Sequence, residues 1–252
     1  MSAVPSDAPE PGSGAGVGAD PVDARPPEGR AVTGWRAEVL VALVMVALCT
    51  LFVGIRLGNH DNDPTVFILA GEEVTDPAVN PDLFIVAGAF GYDGQRYYRL
   101  ARNPVTSEVE EFGIVFDRPA YWQKRIGYPF VVWLASGFGR QAVVPWMLIV
   151  VNVAAVGVIA ALAARLARMH DRSPWLGLVP AAWGGYVVAI SQNLTEAVVG
   201  AFLVAALLAL RRQRWAAATA CLLAAALTRE TSLVFSVALL AASFSPVVRR
   251  LA

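Results

Sequence analysis

Ala37–Ile55 reads AEVLVALVMVALCTLFVGI, nineteen residues interrupted by a single charge, Glu38, near its start. A run of this length and polarity suffices to cross the hydrocarbon core of a bilayer, roughly 30 Å thick, as an α-helix. Trp35 and Arg36 just before it are residue types that settle at a membrane interface. This run decides the fold class: an all-α, polytopic membrane protein. Composition agrees, since 56 % of the 252 residues are hydrophobic and only 16 % charged, against about 25 % charged in soluble domains. The formal net charge is zero, so no bulk electrostatic attraction points to nucleic acid.

Outward toward the N-terminus, residues 1–34 are rich in Pro, Gly, Ala and Asp. Such a segment buries too little apolar surface to offset its ordering entropy and is expected to be a disordered tail. It is too long and too acidic for the n-region of a signal peptide, so Ala37–Ile55 is expected to remain as the first transmembrane helix.

Outward in the other direction, residues 56–142 form a long loop. It is acidic, with Asp61, Asp63, Glu72, Glu73, Asp76, Asp82, Asp93, Glu108, Glu110, Glu111 and Asp117, and it is broken repeatedly by proline. A loop this long inside a membrane protein is usually functional. Leu83–Phe90 reads as a juxtamembrane or buried piece. Ile126–Phe138, thirteen apolar residues, is too short for an ordinary span and suits an interfacial or re-entrant helix. Five further apolar runs follow, at Val143–Leu166, Trp175–Ile190, Leu194–Leu210, Trp215–Leu227 and Ser232–Phe244. With the first they predict about six transmembrane helices in a domain covering residues 35–252. Pro180, Gly184 and Gly185 mark the second of these runs as a place for a kink.

The arginines set the orientation. Lys and Arg collect in cytoplasmic loops, and the clusters here are Arg25, Arg30 and Arg36; Arg165, Arg168 and Arg172; Arg211, Arg212 and Arg214; and Arg249 and Arg250. All can lie on one side only if Ile126–Phe138 does not cross. The reading is therefore a multi-pass protein of the cell (inner or plasma) membrane with both termini cytoplasmic. The acidic loop, Ser191–Glu196 and Thr228–Thr231 then face outward together. Seventeen of the twenty acidic residues precede residue 126, and only Glu196 and Glu230 follow Asp171. The carboxylates with an odd location thus fall on the outer side, which is the argument for a site there.

Within the loop, Gly91-Tyr92-Asp93-Gly94-Gln95-Arg96-Tyr97-Tyr98-Arg99-Leu100-Ala101-Arg102-Asn103-Pro104 predicts a short helix. Asp93 is placed to cap its first turn, and Pro104 marks its end. Arg96 and Arg99, three apart, share a face. One carboxylate beside arginines and tyrosines suits a sugar or phosphate ligand; an interfacial helix with a capping aspartate is the structural alternative. Glu196 opens an apolar run, where the helix dipole favours it. Arg229 and Glu230 lie between two apolar runs, where charge is costly unless paired or functional. Arg118, Lys124 and Arg125 precede the interfacial segment and suit an anionic head group, a polyprenyl phosphate, or plain snorkelling to lipid phosphates. Asn193-Leu194-Thr195 matches a glycosylation sequon pressed against the membrane. Cys49 and Cys221 lie in apolar runs and read as packing residues. His60 and His170 fall in different loops, so no metal-ligand spacing exists.

Tyr92-Asp93-Gly94-Gln95-x-Tyr97-Tyr98, Arg118-Pro119-Ala120-Tyr121, Arg125-Ile126-x-Tyr128-Pro129, Asn193-Leu194-Thr195-Glu196 and Leu227-Thr228-Arg229-Glu230-Thr231 occur in this order. The set resembles bacterial integral membrane proteins of the GT-C glycosyltransferase type, in particular those tied to cell-surface glycopolymer formation, over residues 35 to 245. The resemblance implies a polyprenyl-phosphate-linked sugar as donor, membrane lipids as surroundings, and juxtamembrane helices in the first outer loop. It makes Asp93 the catalytic base, and Arg96, Tyr97, Tyr98, Arg125, Glu196, Arg229 and Glu230 substrate-binding residues. Tyr97, Tyr98 and Trp122 would offer stacking faces to sugar. It leaves a divalent metal and a membrane-protein partner open. The chain departs from the type in having few spans and Gly94, not a second acid, beside Asp93. It would then be a short member, a fragment, or a half that needs a partner. A non-catalytic scaffold or escort for glycopolymer assembly is the alternative function. A transporter is disfavoured, since no inverted repeat and no charged relay within the spans is visible.

Overall fold

The nineteen-residue run is the core of helix α1 (Gly34–Gly58) in a computed structural model of the protein that describes residues 34–244. The expected disordered tail, up to residue 33, and Arg249 and Arg250 lie outside the described residues. Helix α1, 25 residues and mostly apolar, is long enough to span. Its buried positions, Glu38, Val41, Met45, Cys49, Val53 and Leu57, recur every three or four residues and form one stripe. The stripe packs on α5 (Val144–Arg168). The rest of α1 is apolar and exposed, with Leu40, Leu43, Leu48, Leu51 and Ile55 outward.

Between these two helices, residues 59–143 fold around α2 (Asp93–Arg102). The loop carries a parallel pair, β1 (Ala70–Gly71) with β2 (Ile85–Val86), and an antiparallel hairpin, β3 (Glu110–Glu111) with β4 (Ile114–Val115). Phe112 and Gly113, both at positive φ, form the two-residue turn of the hairpin, as the twist of antiparallel strands favours. Two short helices complete the loop, α3 (Pro119–Gln123) and α4 (Gly127–Ala135).

Two side chains of α2 hold this cap together. Gln95 Oε1 accepts the Gly71 N–H at 3.1 Å and the Thr75 hydroxyl at 2.8 Å, and its amide nitrogen donates to the Phe90 carbonyl at 2.8 Å. Arg99 is fully buried. It donates to the carbonyls of Val109, Ile114 and Glu108 at 2.9, 2.8 and 2.5 Å, and its guanidinium lies 3.8 Å over the Phe116 ring. Three carbonyls accepting from one guanidinium fix the hairpin on α2. The long acidic loop, expected to carry a short helix and juxtamembrane helices, is thus an ordered cap, because the polar α2 side chains Gln95 and Arg99 satisfy backbone groups that its irregular path leaves over.

After α5, the run expected as a single span is broken. A 3₁₀ turn (Pro174–Gly177) leads into α6 (Leu178–Ala181), and α7 (Gly184–Ser191) leaves at a bend of 56°. Helices α8 (Glu196–Arg211), α9 (Trp215–Thr228) and α10 (Leu233–Phe244) follow, with a 3₁₀ turn (Glu230–Ser232) between the last two. The described residues are therefore mostly helical, and two of their helices, or three if the bent pair is one span, are long and apolar enough to cross a membrane. Helices α8, α9 and α10 have 16, 14 and 12 residues, short of the ~20 of an ordinary span. Helix α4, at nine residues, rises only about 13 Å and packs against α2, α5 and α9.

Helix α5 is the axis, touching α1, α4, α6 and α8. Near its middle a buried polar chain ties in α4. Asn152 donates to the Tyr128 hydroxyl at 2.9 Å, and that hydroxyl donates to the Leu148 carbonyl at 2.8 Å.

Candidate functional site

The start of α2, the α3–α4 junction, the start of α8 and the α9–α10 turn meet at one end of the helices. Two glycines permit the approach. A Cβ on Gly94 would collide with the carbonyl oxygens of Gln192 and Ile68, and one on Gly127 with the Thr228 hydroxyl. This explains why Gly94 follows Asp93 in place of a second acid: the Gln192 backbone occupies the space.

Arg125 is the centre of the charge cluster. It is nearly buried and binds Glu230 in bidentate fashion, Nε to Oε2 at 3.0 Å and Nη2 to Oε1 at 2.7 Å. The same Nη2 donates to the Tyr121 hydroxyl, and Nη1 lies 3.6 Å from Asp93 Oδ2. The Glu230 carboxyl is held below the usual carboxylate range, chiefly by the two Arg125 hydrogen bonds and against a smaller opposing effect of burial. The partnership raises the Arg125 guanidinium in turn. Beside this group, Arg229 forms an ion pair with Glu196. Arg229 and Glu230, neighbours in sequence, thus engage different partners, 33 and 105 residues away.

Asp93 stands differently. It is the first residue of α2, and Tyr92 holds the cap position without a side-chain hydrogen bond. The expected capping role is therefore replaced: its carboxylate faces Arg96 at 3.7 Å and Arg125 at 3.6 Å. Among the described residues it accepts no side-chain or backbone hydrogen bond, and it is 35 % exposed. Its position in the first turn still suits the helix dipole.

The tyrosines divide. Tyr97 points into the cluster, packed edge-on to Trp122 and Tyr128. Its hydroxyl is raised mainly by burial, with Asp93 adding to the shift and Arg125 and Thr195 opposing it. Tyr98, about 100° round the helix, leaves the cluster and lies under Arg102. Neither they nor Trp122 offer a stacking face. Both tyrosines are 1 % exposed. Trp122 is clamped between the Arg96 and Arg125 guanidiniums and bonded through Nε1 to Asp117 at 3.1 Å. That N–H is the first cause of a lowered Asp117 carboxyl. The reason is geometric: α2 buries both flanks because it is the pillar of the cap. The exposed aromatic rings at this end are Phe90, Tyr92 and Tyr121.

The cluster thus gathers Asp93, Arg96, Tyr97, Arg125 and Glu230, with the Glu196–Arg229 pair beside it, and leaves out Tyr98. Sequence reading missed Tyr121, Asn193, Thr195 and Ser232 as site members. Asn193 and Thr195 are completely buried, and Ser232 nearly so. Among buried side-chain polar atoms without a partner in the described protein, six of eleven belong to Gln192, Asn193, Thr195, Glu196 and Ser232. Such atoms are costly, and they are concentrated in the two segments beside the cluster. The signals in the sequence were that Ser191–Glu196 is a polar interruption between two apolar runs and that Tyr121, Asn193 and Thr195 fall within the motifs of the resemblance.

No set of three or more His, Cys, Asp and Glu side chains is gathered for a metal among the described residues; the carboxylates face guanidiniums. No family model, curated protein or solved structure matches the chain.

Proposed function

We propose that the protein is a membrane glycosyltransferase of the GT-C type, moving a sugar from a polyprenyl-phosphate donor to a cell-envelope acceptor on the outer face. The observation that carries this is Asp93: a carboxylate one-third exposed, with no hydrogen bond among the described residues, beside two guanidiniums and a row of buried polar atoms without partners. Glu230 and Glu196 are committed to arginines; Asp93 retains lone pairs for a proton.

In the proposed reaction Asp93 takes the proton of the acceptor hydroxyl as that oxygen attacks the anomeric carbon. The bond from that carbon to the lipid phosphate oxygen breaks, and the phosphate departs with the electron pair. Arg125 and Arg229 are the candidates to hold the departing phosphate, exchanging part of their bonding to Glu230 and Glu196 for it. The exposed rings of Tyr92 and Tyr121 take the sugar-facing role first expected of Tyr97, Tyr98 and Trp122.

The topology proposed with this is six crossings in the cell membrane, both termini cytoplasmic and the cluster outside. Its support is the charge distribution. Helix α8 runs from Glu196 at the cluster to Arg211, and α5 ends in Arg165 and Arg168. Arg165, Arg168 and Arg211 therefore share the end of the helices away from the cluster of Asp93, Glu196 and Glu230.

One observation favours the scaffold reading. Arg125, Glu230 and Tyr121 form a closed set of bonds that clasps α3 to the α9–α10 turn, which a non-catalytic protein would use equally. Asp93→Asn separates the two. Asn keeps the shape and forfeits the base, so transfer from radiolabelled polyprenyl-phosphate sugars in isolated membranes falls about 10²–10⁴-fold, at unchanged protein level. Full activity of Asp93→Asn sinks the catalytic assignment.

A further inference from the structure

We infer that the end of the helix bundle opposite the carboxylate cluster holds a second binding site, for the phosphate of an anionic membrane lipid. A cleft of about 270 Å³ opens there, lined by Trp35, Glu38, Arg165, Arg168, Met169 and Arg212. Three elements supply it: the first turns of α1, the last turn of α5, and the residue that ends α8.

The charge is unbalanced. Three guanidiniums line the cleft against one carboxylate. Glu38 is nearly buried and receives Arg168 Nη1 at 2.9 Å and Arg165 Nη1 at 3.4 Å. It holds two arginines side by side and neutralises one. Each guanidinium has five N–H donors, and these two give Glu38 one contact each. Arg212 forms no ion pair among the described residues. An oxyanion with several acceptor oxygens satisfies such a set, and phosphate matches the guanidinium fork.

The surroundings select a lipid over a soluble phosphate. Trp35, 63 % exposed, stands at the mouth of the cleft, and Trp175 and Trp215 are also exposed, one flanking each of the neighbouring arginine clusters in sequence. Exposed tryptophan beside arginine is the signature of the head-group layer. One to two turns further along α1 lie Val39, Leu40 and Leu43, all exposed and apolar. A phosphate seated on the arginines would send its acyl chains along that face. Basic pockets between helices on the cytoplasmic side bind anionic head groups in this way.

The diffuse positive charge of a cytoplasmic surface is the competing account, and neighbouring arginines distinguish it. Arg211 is exposed and does not line the cleft; Arg212 does. The test uses the purified full chain in neutral detergent, with bound lipid counted by native mass spectrometry during titration with phosphatidylglycerol or phosphatidylcholine. Phosphatidylglycerol is expected to bind about tenfold more tightly than phosphatidylcholine. Arg212→Gln weakens it about tenfold, the equivalent of one lost charge-assisted contact. Arg212→Lys keeps most of the binding, and Arg211→Gln leaves it unchanged. Inorganic phosphate at millimolar concentration does not displace the lipid. Equal binding of the two lipids, equal losses in Arg211→Gln and Arg212→Gln, or displacement by inorganic phosphate each overturns the assignment. An Arg212→Lys protein that melts like the wild type but binds no phosphatidylglycerol also overturns it.

Discussion

Replacing Glu230 with Gln tests the clasp at the centre of the cluster. The substitution keeps size and one acceptor oxygen, and removes the charge facing Arg125. Two charge-assisted hydrogen bonds, at 3.0 and 2.7 Å, are affected. Bonds to charged groups contribute about 1.5–3 kcal/mol each. Glu230 is 36 % exposed, so solvent screening reduces their worth, and the retained oxygen keeps part of one. A net loss of about 1–3 kcal/mol remains, which for a domain of this size lowers Tm by about 3–10 °C. The pH dependence supplies a second readout. Because Arg125 depresses the folded-state value of Glu230, its stabilisation is present above the unfolded value, about 4.3. It is lost as pH falls through the folded value. Thermal unfolding of the purified chain in detergent at pH 7 and across pH 5 to 3 measures both. The Tm gap between wild type and Glu230→Gln should be open at pH 7 and close on acidification. An unchanged Tm at pH 7, or a gap that does not narrow as the pH falls below the unfolded value, refutes the assignment of Arg125–Glu230 as a stabilising ion pair.

Arg99→Met removes the donor to three carbonyls while keeping much of the apolar stem. It should cost about 3 kcal/mol or more and expose residues 104–116 to proteolysis before the helices are cut; a protection pattern like wild type counts against the pillar role of α2. For topology, single cysteines at Val105 and Thr231, both exposed, in a background lacking Cys49 and Cys221, should react with an impermeant thiol reagent on intact cells. One at Gln213 should react only after permeabilisation, and labelling of Gln213 from outside would reverse the proposed orientation.

Much of the site was legible from residue type. Asp93, Arg125, Glu196, Arg229 and Glu230 are ionisable groups flanking or interrupting apolar sequence, and cost alone implies that such groups find partners. Which partner each finds was not legible. Adjacent in sequence, Arg229 and Glu230 project toward different neighbours because the backbone at Arg229 is extended at the end of α9. The burial of Tyr97 and Tyr98 was equally hidden. A short helix with arginine at three positions looks interfacial by sequence, and only the cap wrapped around it turns Gln95 and Arg99 into internal scaffolding.

By itself the sequence determined the helical class, the two long apolar helices, the shortness of the last three, the kink between α6 and α7, the end of α2 before Pro104, and the placing of Glu196 and Glu230 between apolar runs. These are properties of local composition: apolar length, a missing N–H at proline, and the sign of charge between runs. Tertiary structure alone decided how the acidic loop packs into an ordered cap around α2. It also decided the convergence of residues 93, 125, 196 and 230. Those depend on contacts between residues up to 105 apart. Composition specifies that a charge must be satisfied, and only the packing of α2, α4, α8 and α9 around α5 specifies by what.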